Sequence, residues 1–305
     1  MPTQPEPVST DTRELRSMVD KIDQLPLLPQ VVVRIMRQDP ETDDYLERLE
    51  ELIKEDPAFA VRVLALANSA ASSPVAAITT IKNALTRMGP AAVRGMVSSF
   101  AVQTVFMPTE PNQVQLWVHS VNMAVAAQRI AELVPDLKVD PGFAYVAGLL
   151  HDIGRFVMFE HASPELQKVD ETHWHSPDEL IQADVEIFKF THSELGYLAC
   201  KHWGLPDDLA LVVRAHHSNL EGDVRPGSNE AATFCVQVAD WVSLAVLEQA
   251  DFEDLDSDTR IQRIKEHCLQ SERDLTLLSV DNLNESLDLI NTESTALLAG
   301  LGFAE

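Results

Sequence analysis

Residues 147–156 read AGLLHDIGRF, and they place an adjacent histidine and aspartate, His151 and Asp152, inside an apolar helical pattern. Further histidines and aspartates occur in similar apolar contexts elsewhere in the chain. They are His119 in QLWVHSVNMA, His192 in FTHSELGYLA, His216 and His217 in RAHHSN, and Asp240 in VQVADWVSLA. Seven such side chains beside hydrophobic residues exceed what a chance surface distribution would give, so we treat them as one candidate site.

Imidazole nitrogens and carboxylate oxygens bind divalent transition metals, and this mixed set suits Fe, Mn, Zn or Ni. Neighbouring side chains on a helix project about 100° apart, so His151 and Asp152 reach one centre only where the end of a helix points at it. A metal held there would lower the pKa of bound water and polarise a phosphoryl oxygen, which is hydrolytic chemistry. The predicted metal ligands are His119, His151, Asp152, His192, His216, His217 and Asp240.

A second interpretation of the same side chains needs no metal. A single buried histidine is more often a hydrogen-bonded core residue than a ligand, so the cluster could instead be a buried hydrogen-bond network. The remaining histidines lack apolar helical contexts, and we interpret them as surface or structural residues. They are His161, His173, His175, His202 and His267.

Apolar residues recur at steps of three and four along most of the chain, as in Leu46, Leu49 and Ile53. This spacing is typical of amphipathic helices, and the sequence has no alternating pattern typical of strands. Gly89-Pro90 indicates the end of one helix and the start of the next. The sequence therefore predicts an all-α protein built of short helices.

The chain of 305 residues is long enough for one large domain or two smaller ones. Hydrophobic residues make up 45% and charged residues 23%, which indicates an ordinary folded protein. Three cysteines form no CxxC pair, so we expect reduced thiols in a cytoplasmic protein. No apolar run approaches about 18 residues and the N-terminus has no secretory pattern, so we expect neither membrane insertion nor secretion.

Acidic residues dominate the charge, since 48 Asp and Glu against 23 Lys and Arg give a net charge of −25. Nucleic acids and anionic membranes are bound by clustered positive charge, so this balance argues against both as partners. Residues 58–114 are the exception, with four basic side chains against one acidic. We expect these four to be solvated on helix faces, with an acidic partner as the alternative; they are Arg62, Lys82, Arg87 and Arg94.

Three segments in the first third of the chain carry a family resemblance. They are LPLLPQVVVRIM at 25–36, LIKEDPAFAVRVLALANSA at 52–70 and IKNALTRMGPAAVRGMV at 81–97. Together with WGLP at 203–206 and AHHS at 215–218, they resemble the HDOD family, the HD-related output domain of bacterial signalling proteins. The order of the candidate ligands is similar to that of the HD superfamily of metal-dependent phosphohydrolases, including its HD-GYP branch, which hydrolyses cyclic di-GMP.

The resemblance implies a helical N-terminal subdomain packed beside an HD-type helical subdomain. We place these subdomains at residues 16–108 and 109–250. A disordered lead-in is expected over 1–15, and an acidic helical extension over 251–305. The extension would pack on the core or on a second copy of the chain, so a homo-oligomer is one expectation.

The sequence departs from the HD-GYP pattern at positions that the resemblance ties to catalysis. Arg155 stands where the family has a lysine, and Gln115 replaces an acidic residue used by some members. No Gly-Tyr-Pro segment follows His216 and His217. Arg155 would keep a charge that pairs with phosphate, but with planar, bidentate geometry.

The resemblance to HDOD proteins implies a non-catalytic role, so we expect a signalling module that binds a partner protein or a nucleotide ligand with little or no turnover. The alternative is a metal-dependent phosphohydrolase or cyclic dinucleotide phosphodiesterase in which Asp152 and Arg155 are catalytic. In that alternative one metal would be held by His119, His151, Asp152 and Asp240. A second metal would be held by His192, His216 and His217.

Overall fold

The computed structural model describes residues 13–22, 28–40, 42–68, 78–172, 174, 176–218, 220, 224–249, 251–270 and 277–303. Within these ranges every regular element is helical and no strand occurs, which confirms the predicted all-α class. The first group of helices comprises α1 (Arg13–Ile22), α2 (Gln30–Met36), α3 (Tyr45–Lys54), α4 (Pro57–Ala67), α5 (Ile81–Met88) and α6 (Pro90–Val105).

The second group of helices carries all the candidate ligands. It comprises α7 (Pro111–Leu133), α8 (Pro141–Leu150), α9 (Ile153–Asp170), α10 (Pro177–Phe188), α11 (His192–His202), α12 (Asp207–Ala215) and α13 (Asn229–Val242). A π-helical turn, Ser243–Leu247, continues α13. The chain ends in α14 (Ser257–Gln270) and α15 (Val280–Leu301).

Local sequence signals set where several of these helices begin. Proline occupies the first turn of α6, α7, α8 and α10, where its missing N–H costs no intrahelical hydrogen bond. Gly89, with φ of +82°, makes the sharp junction between α5 and α6 that Gly89-Pro90 predicts. Thr191 and Glu194 form a capping box at α11, so His192 becomes its first residue.

Helices α7 and α8 form the closest-packed pair in the second group. A Cβ atom on Gly148 would lie 2.5 Å from the backbone oxygen of Met123, so only glycine allows this approach. On its other side α8 packs against α6, where the Tyr145 hydroxyl and Ser99 Oγ lie 2.9 Å apart in a buried hydrogen bond. The N-terminal helices α2 to α6 thus contact the ligand-bearing helices through α6, and Arg37, directly after α2, also donates to the Gly204 oxygen.

Both ends of the described chain pack on the ligand-bearing helices. Helix α1 begins at Arg13 and contacts α9 and α11, while residues 1–12 of the expected lead-in lie outside the described residues. Helix α15 buries Leu283, Leu287 and Ile290 against α7 and its neighbours. The acidic C-terminal segment therefore packs on the core of its own chain.

Arg94 corrects one expectation from the sequence. Its side chain is 5% exposed rather than solvated, and it forms an ion pair with Asp140, the N-terminal cap of α8. Burying an arginine is tolerated here because a carboxylate faces it across the contact between α6 and α8. Of the other three basic residues, Lys82 and Arg87 are exposed, and Arg62 lies over the Phe100 ring at 5.1 Å.

Helix α13 is a core helix of this fold. Together with the π-helical turn it forms the stretch Asn229–Leu247, which is long and apolar enough to cross a membrane by length and composition. That is weak evidence for a span, since 83% of its 18-residue apolar window is buried inside the fold and core helices meet the same criterion.

Gly154 sets the distance between the start of α9 and the start of α11. A Cβ atom at this position would lie 1.9 Å from the carbonyl oxygen of His192 and 2.9 Å from the backbone nitrogen of Gly196. Both neighbours are backbone atoms, so no side-chain rotation relieves the clash. The missing Cβ is what brings Asp152, just before α9, up to His192.

We expect Gly154→Ala to lower the free energy of unfolding by about 2–3 kcal/mol through overpacking, although alanine favours a helix over glycine by about 1 kcal/mol. Equilibrium denaturant unfolding measures the change. Gly302→Ala is the control, because Gly302 has φ of +87° with open space at its Cβ position. The control should lose only about 1 kcal/mol from backbone strain. Equal losses in the two variants would contradict the packing explanation.

Candidate metal centre

The predicted ligands come from helix ends and buried helix faces that meet at one place. His151 and Asp152 form the turn between α8 and α9, and His192 is the first residue of α11. His216 and His217 directly follow α12. His119 comes from the middle of α7 and Asp240 from the last turn of α13. The structure thus brings together all seven side chains that the sequence singled out.

Four of these side chains, all buried except the half-buried His217, form a group that we name pocket A: Asp152, His192, His216 and His217. Their ligand atoms all lie within 4.8 Å of one another. The Nε2 atom of His192 lies 3.2 Å from Nε2 of His216 and 3.1 Å from Nε2 of His217. Asp152 Oδ1 lies 3.1 Å from His192 Nε2.

The other three side chains form pocket B: His119, His151 and Asp240. The two Nε2 atoms of His119 and His151 lie 3.2 Å apart, and Asp240 Oδ1 lies 3.6 Å from His119 Nε2. Asp152 joins the two pockets, because its Oδ2 lies 3.8 Å from His151 Nε2. Asp152 was expected to serve the metal of pocket B alone, whereas its Oδ1 atom faces pocket A.

Backbone carbonyls fix the tautomers of two of the histidines. Nδ1 of His151 lies 2.7 Å from the Gly148 oxygen, and Nδ1 of His216 lies 2.6 Å from the Val213 oxygen. A carbonyl oxygen only accepts, so Nδ1 must donate in both cases. In the neutral rings the lone pair is therefore on Nε2, the atom that faces the pocket.

Carboxylates fix the orientation of two more histidine rings, again through Nδ1. Nδ1 of His119 lies 2.6 Å from Glu248 Oε1, and Nδ1 of His192 lies 2.6 Å from Asp184 Oδ2. Neither carboxylate was among the candidate residues predicted from the sequence. Asp184 lies in the apolar stretch LIQADVEIF and met the same criterion as the chosen aspartates, whereas Glu248 looks like part of an acidic surface run.

The donor set of both pockets fits a divalent transition metal. In two pairs of rings, His192 with His216 and His119 with His151, the Nε2 atoms face each other at 3.2 Å. Each of these rings already donates through Nδ1, so a cation between the two Nε2 atoms stabilises the arrangement. Asp152 Oδ1 is buried between two of these nitrogens, 3.1 Å from Nε2 of His192 and 3.6 Å from Nε2 of His216. Mixed imidazole and carboxylate ligands are the ones that Fe, Mn, Zn and Ni accept.

Burial and neighbouring charges shift the pKa values of these groups in opposite directions. Burial lowers the pKa of His151 to about 3. Burial also opposes charge on His119 and His192, but adjacent carboxylates, led by Glu248 and Asp152 respectively, raise both pKa values to about 9. Burial would raise the pKa of Asp152, yet the surrounding imidazoles hold it well below its usual value. Asp152 thus keeps its charge beside the imidazoles, whereas burial raises the pKa of the other carboxylate ligand, Asp240, to about 6.

A cavity of about 720 Å³ opens onto pocket B and onto part of pocket A. Phe159, Trp174 and Leu180 contribute to its apolar wall. Arg155 also lines it, with Nη2 donating to Asp170 at 2.7 Å and Nε 3.8 Å from Asp152. Its Nη1 atom is buried and has no hydrogen-bond partner in the described part of the chain.

The remaining predicted positions lie at the edge of the site or away from it. Gln115 is exposed at the cavity rim. His161 and His202 are not among the cavity-lining residues or the ligand groups. His173, His175 and the side chain of His267 lie outside the described residues.

Solved structures of other proteins share this arrangement of helices. A candidate phosphohydrolase from Shewanella amazonensis SB2B superimposes with a TM-score of 0.71 at 18% identity, over 96% of this chain and 100% of that one. A candidate signal transduction protein from Marinobacter aquaeolei VT8 gives 0.70 at 19% identity, over 97% and 67%. An HDOD domain protein of unknown function from Geobacter sulfurreducens gives 0.66 at 25% identity, over 92% and 97%.

Sequence comparison points the same way. An uncharacterized protein of Treponema pallidum (strain Nichols) is 28% identical over 213 residues, covering 69% of this chain and 41% of that protein. The chain therefore spans less than half the length of this curated relative. The family model of the HDOD domain matches residues 25–219, which is more than half of the chain. The chain belongs to the HDOD domain family.

Proposed function

We propose that this chain is a signal-transduction module whose site binds two divalent transition-metal ions and hydrolyses a phosphoester. The observation that carries the proposal is the convergence of pockets A and B on one open cavity. In His119, His151, His192 and His216 the Nδ1 atom is already engaged, so each Nε2 atom is available to a metal.

Each pocket supplies a ligand set of its own. Asp152, His192, His216 and His217 would hold one ion, and His119, His151 and Asp240 the other. Asp152 is close enough to His151 for its second oxygen to serve pocket B as well. A divalent metal, when bound, supplies a Lewis acid that activates water and polarises a phosphoryl oxygen.

The charges around the cavity make phosphoester binding depend on metal. The cavity is lined by five carboxylates, Asp152, Asp170, Asp240, Glu171 and Glu248. An anionic phosphoester would be repelled by this wall unless bound cations offset it. Substrate binding and metal binding are therefore coupled in this proposal.

Arg155 is the residue best placed to bind the phosphate group beside the metals. Asp170 and Asp152 hold its guanidinium on the cavity wall, and its Nη1 atom remains without a partner there. A guanidinium donates well-directed, charge-assisted hydrogen bonds to phosphate oxygens. We assign to Arg155 the orientation of the phosphoester toward the metal ligands.

One observation favours a second candidate, binding of a phosphorylated ligand without turnover. Two of the guanidinium nitrogens of Arg155 already face Asp170 and Asp152, so fewer of its donors remain for a transition state. In this alternative the metal and Arg155 hold the ligand, and the signal is the bound state.

We expect the protein, purified without a metal-binding tag and loaded with Mn²⁺ or Zn²⁺, to retain about two ions per chain after gel filtration. Asp152→Asn removes the charge shared by the pockets and should reduce this to fewer than about one. Elemental analysis gives the number of metal ions per chain. Glu171→Gln, at a cavity carboxylate hydrogen-bonded to Gln167, is the control and should keep both ions. Wild-type protein that holds no stoichiometric metal after loading would overturn the proposal.

We expect the metal-loaded protein to hydrolyse bis(p-nitrophenyl) phosphate, and Arg155→Met to lower kcat/KM about 10- to 100-fold. This range corresponds to the loss of one charge-assisted hydrogen bond. Arg129→Met is the control, because Arg129 pairs with Glu132 and Glu293 and does not line the cavity. If metal-loaded protein binds phosphate but hydrolyses neither this ester nor a panel of mono- and dinucleotides, binding without turnover replaces the enzymatic proposal.

A further inference from the structure

We infer that Asp184 and Glu248 are positioning residues, each of which holds one histidine of one metal pocket in its ligating orientation. The inference rests on the metal binding proposed above. It adds that the two pockets are controlled separately, pocket A by Asp184 through His192 and pocket B by Glu248 through His119.

Asp184 is a fully buried carboxylate on α10 that meets the start of α11. Its Oδ2 atom accepts two hydrogen bonds from His192, one from the backbone N–H at 2.9 Å and one from Nδ1 at 2.6 Å. Its side chain is 0% exposed, and the described cavity lining does not include it. One oxygen therefore fixes both the backbone and the ring of His192, with Nε2 directed at Asp152.

Glu248 reaches pocket B from the end of the π-helical turn Ser243–Leu247. Its Oε1 atom accepts hydrogen bonds from Nδ1 of His119, at 2.6 Å, and from the Ser243 hydroxyl. π-Helical turns are rare and often occur at functional sites, because they shift the following residue relative to a regular helix. Here the residue that follows the turn is Glu248, and it lines the cavity.

The same division occurs in both pockets. Pocket A has His192 backed by a carboxylate and His216 backed by the carbonyl of Val213. Pocket B has His119 backed by a carboxylate and His151 backed by the carbonyl of Gly148. A carbonyl fixes the tautomer only, whereas a carboxylate also adds negative charge and makes the ring a stronger donor to metal. Each pocket thus has one histidine whose donor strength depends on an acid, which is fully buried in the case of Asp184 and partly exposed in the case of Glu248.

The test compares Asp184→Asn and Glu248→Gln with the wild-type protein in titrations of metal-free protein with Co²⁺. Both substitutions keep an oxygen that accepts from Nδ1 and remove only the charge. We expect each substitution to lower the affinity for one of the two Co²⁺ ions by about 10- to 100-fold and to leave the affinity for the other unchanged. The Co²⁺ absorption spectrum should lose a different component in each variant. Glu171→Gln should titrate like the wild type, and Asp184→Glu should recover part of the affinity lost in Asp184→Asn.

Three outcomes are decisive. Wild-type affinity for both ions in either variant would overturn the positioning role of that residue while leaving the proposed function intact. An equal loss of affinity for both ions in both variants would overturn the proposal that the two pockets are controlled separately. It would indicate a general structural effect, which thermal unfolding of the metal-free proteins would show. A wild-type protein that binds no Co²⁺ would overturn the proposed function itself. If Asp184→Asn does not fold, Glu248→Gln decides between these outcomes, since its side chain is 25% exposed at the cavity.

Discussion

The Asp152 carboxylate, buried among imidazoles, is the interaction on which the rest of this structure depends. Its side chain is 8% exposed, and its two oxygens face His192 and His151 from opposite pockets. Burying an uncompensated carboxylate costs several kcal/mol, so the chain must supply positive charge around it. Four helix ends meet at this point to do so, and the missing Cβ of Gly154 allows the closest of these approaches.

Positive charge beside Asp152 can come from protons or from metal ions. The raised pKa values of His119 and His192, about 9 in each case, describe the first solution. The engaged Nδ1 atoms and the facing Nε2 atoms suit the second, because they present lone pairs to a shared centre. Metal binding would displace the protons, so the same buried acids support either occupant. If metal ions compensate Asp152, the site is an HD-type enzyme site. If protons compensate it, the site is an inherited hydrogen-bond network.

The sequence predicted the all-helical fold and the residues that meet at the site, because apolar periodicity and helix-ending signals are local. A histidine or aspartate inside such a pattern must face the core, and His119 and Asp240 were found on that basis. Contacts between distant segments were not predictable in this way. Arg94 is buried because Asp140 faces it from 46 residues away, and Asp152 serves pocket A because α9 approaches α11 at Gly154. The contacts of Asp184 and Glu248 with His192 and His119 were not predictable either, because only the folded chain brings each carboxylate to the Nδ1 atom of its histidine.

Anomalous X-ray diffraction from crystals of the metal-loaded protein, collected at the absorption edge of the metal, shows directly whether both pockets bind metal. If both pockets bind metal, two anomalous peaks are expected, one bounded by Asp152, His192, His216 and His217 and the other by His119, His151 and Asp240. Ordered histidines in the present orientation with no anomalous peak in either pocket would contradict this expectation. That result would show that protons alone compensate the buried acids of this site.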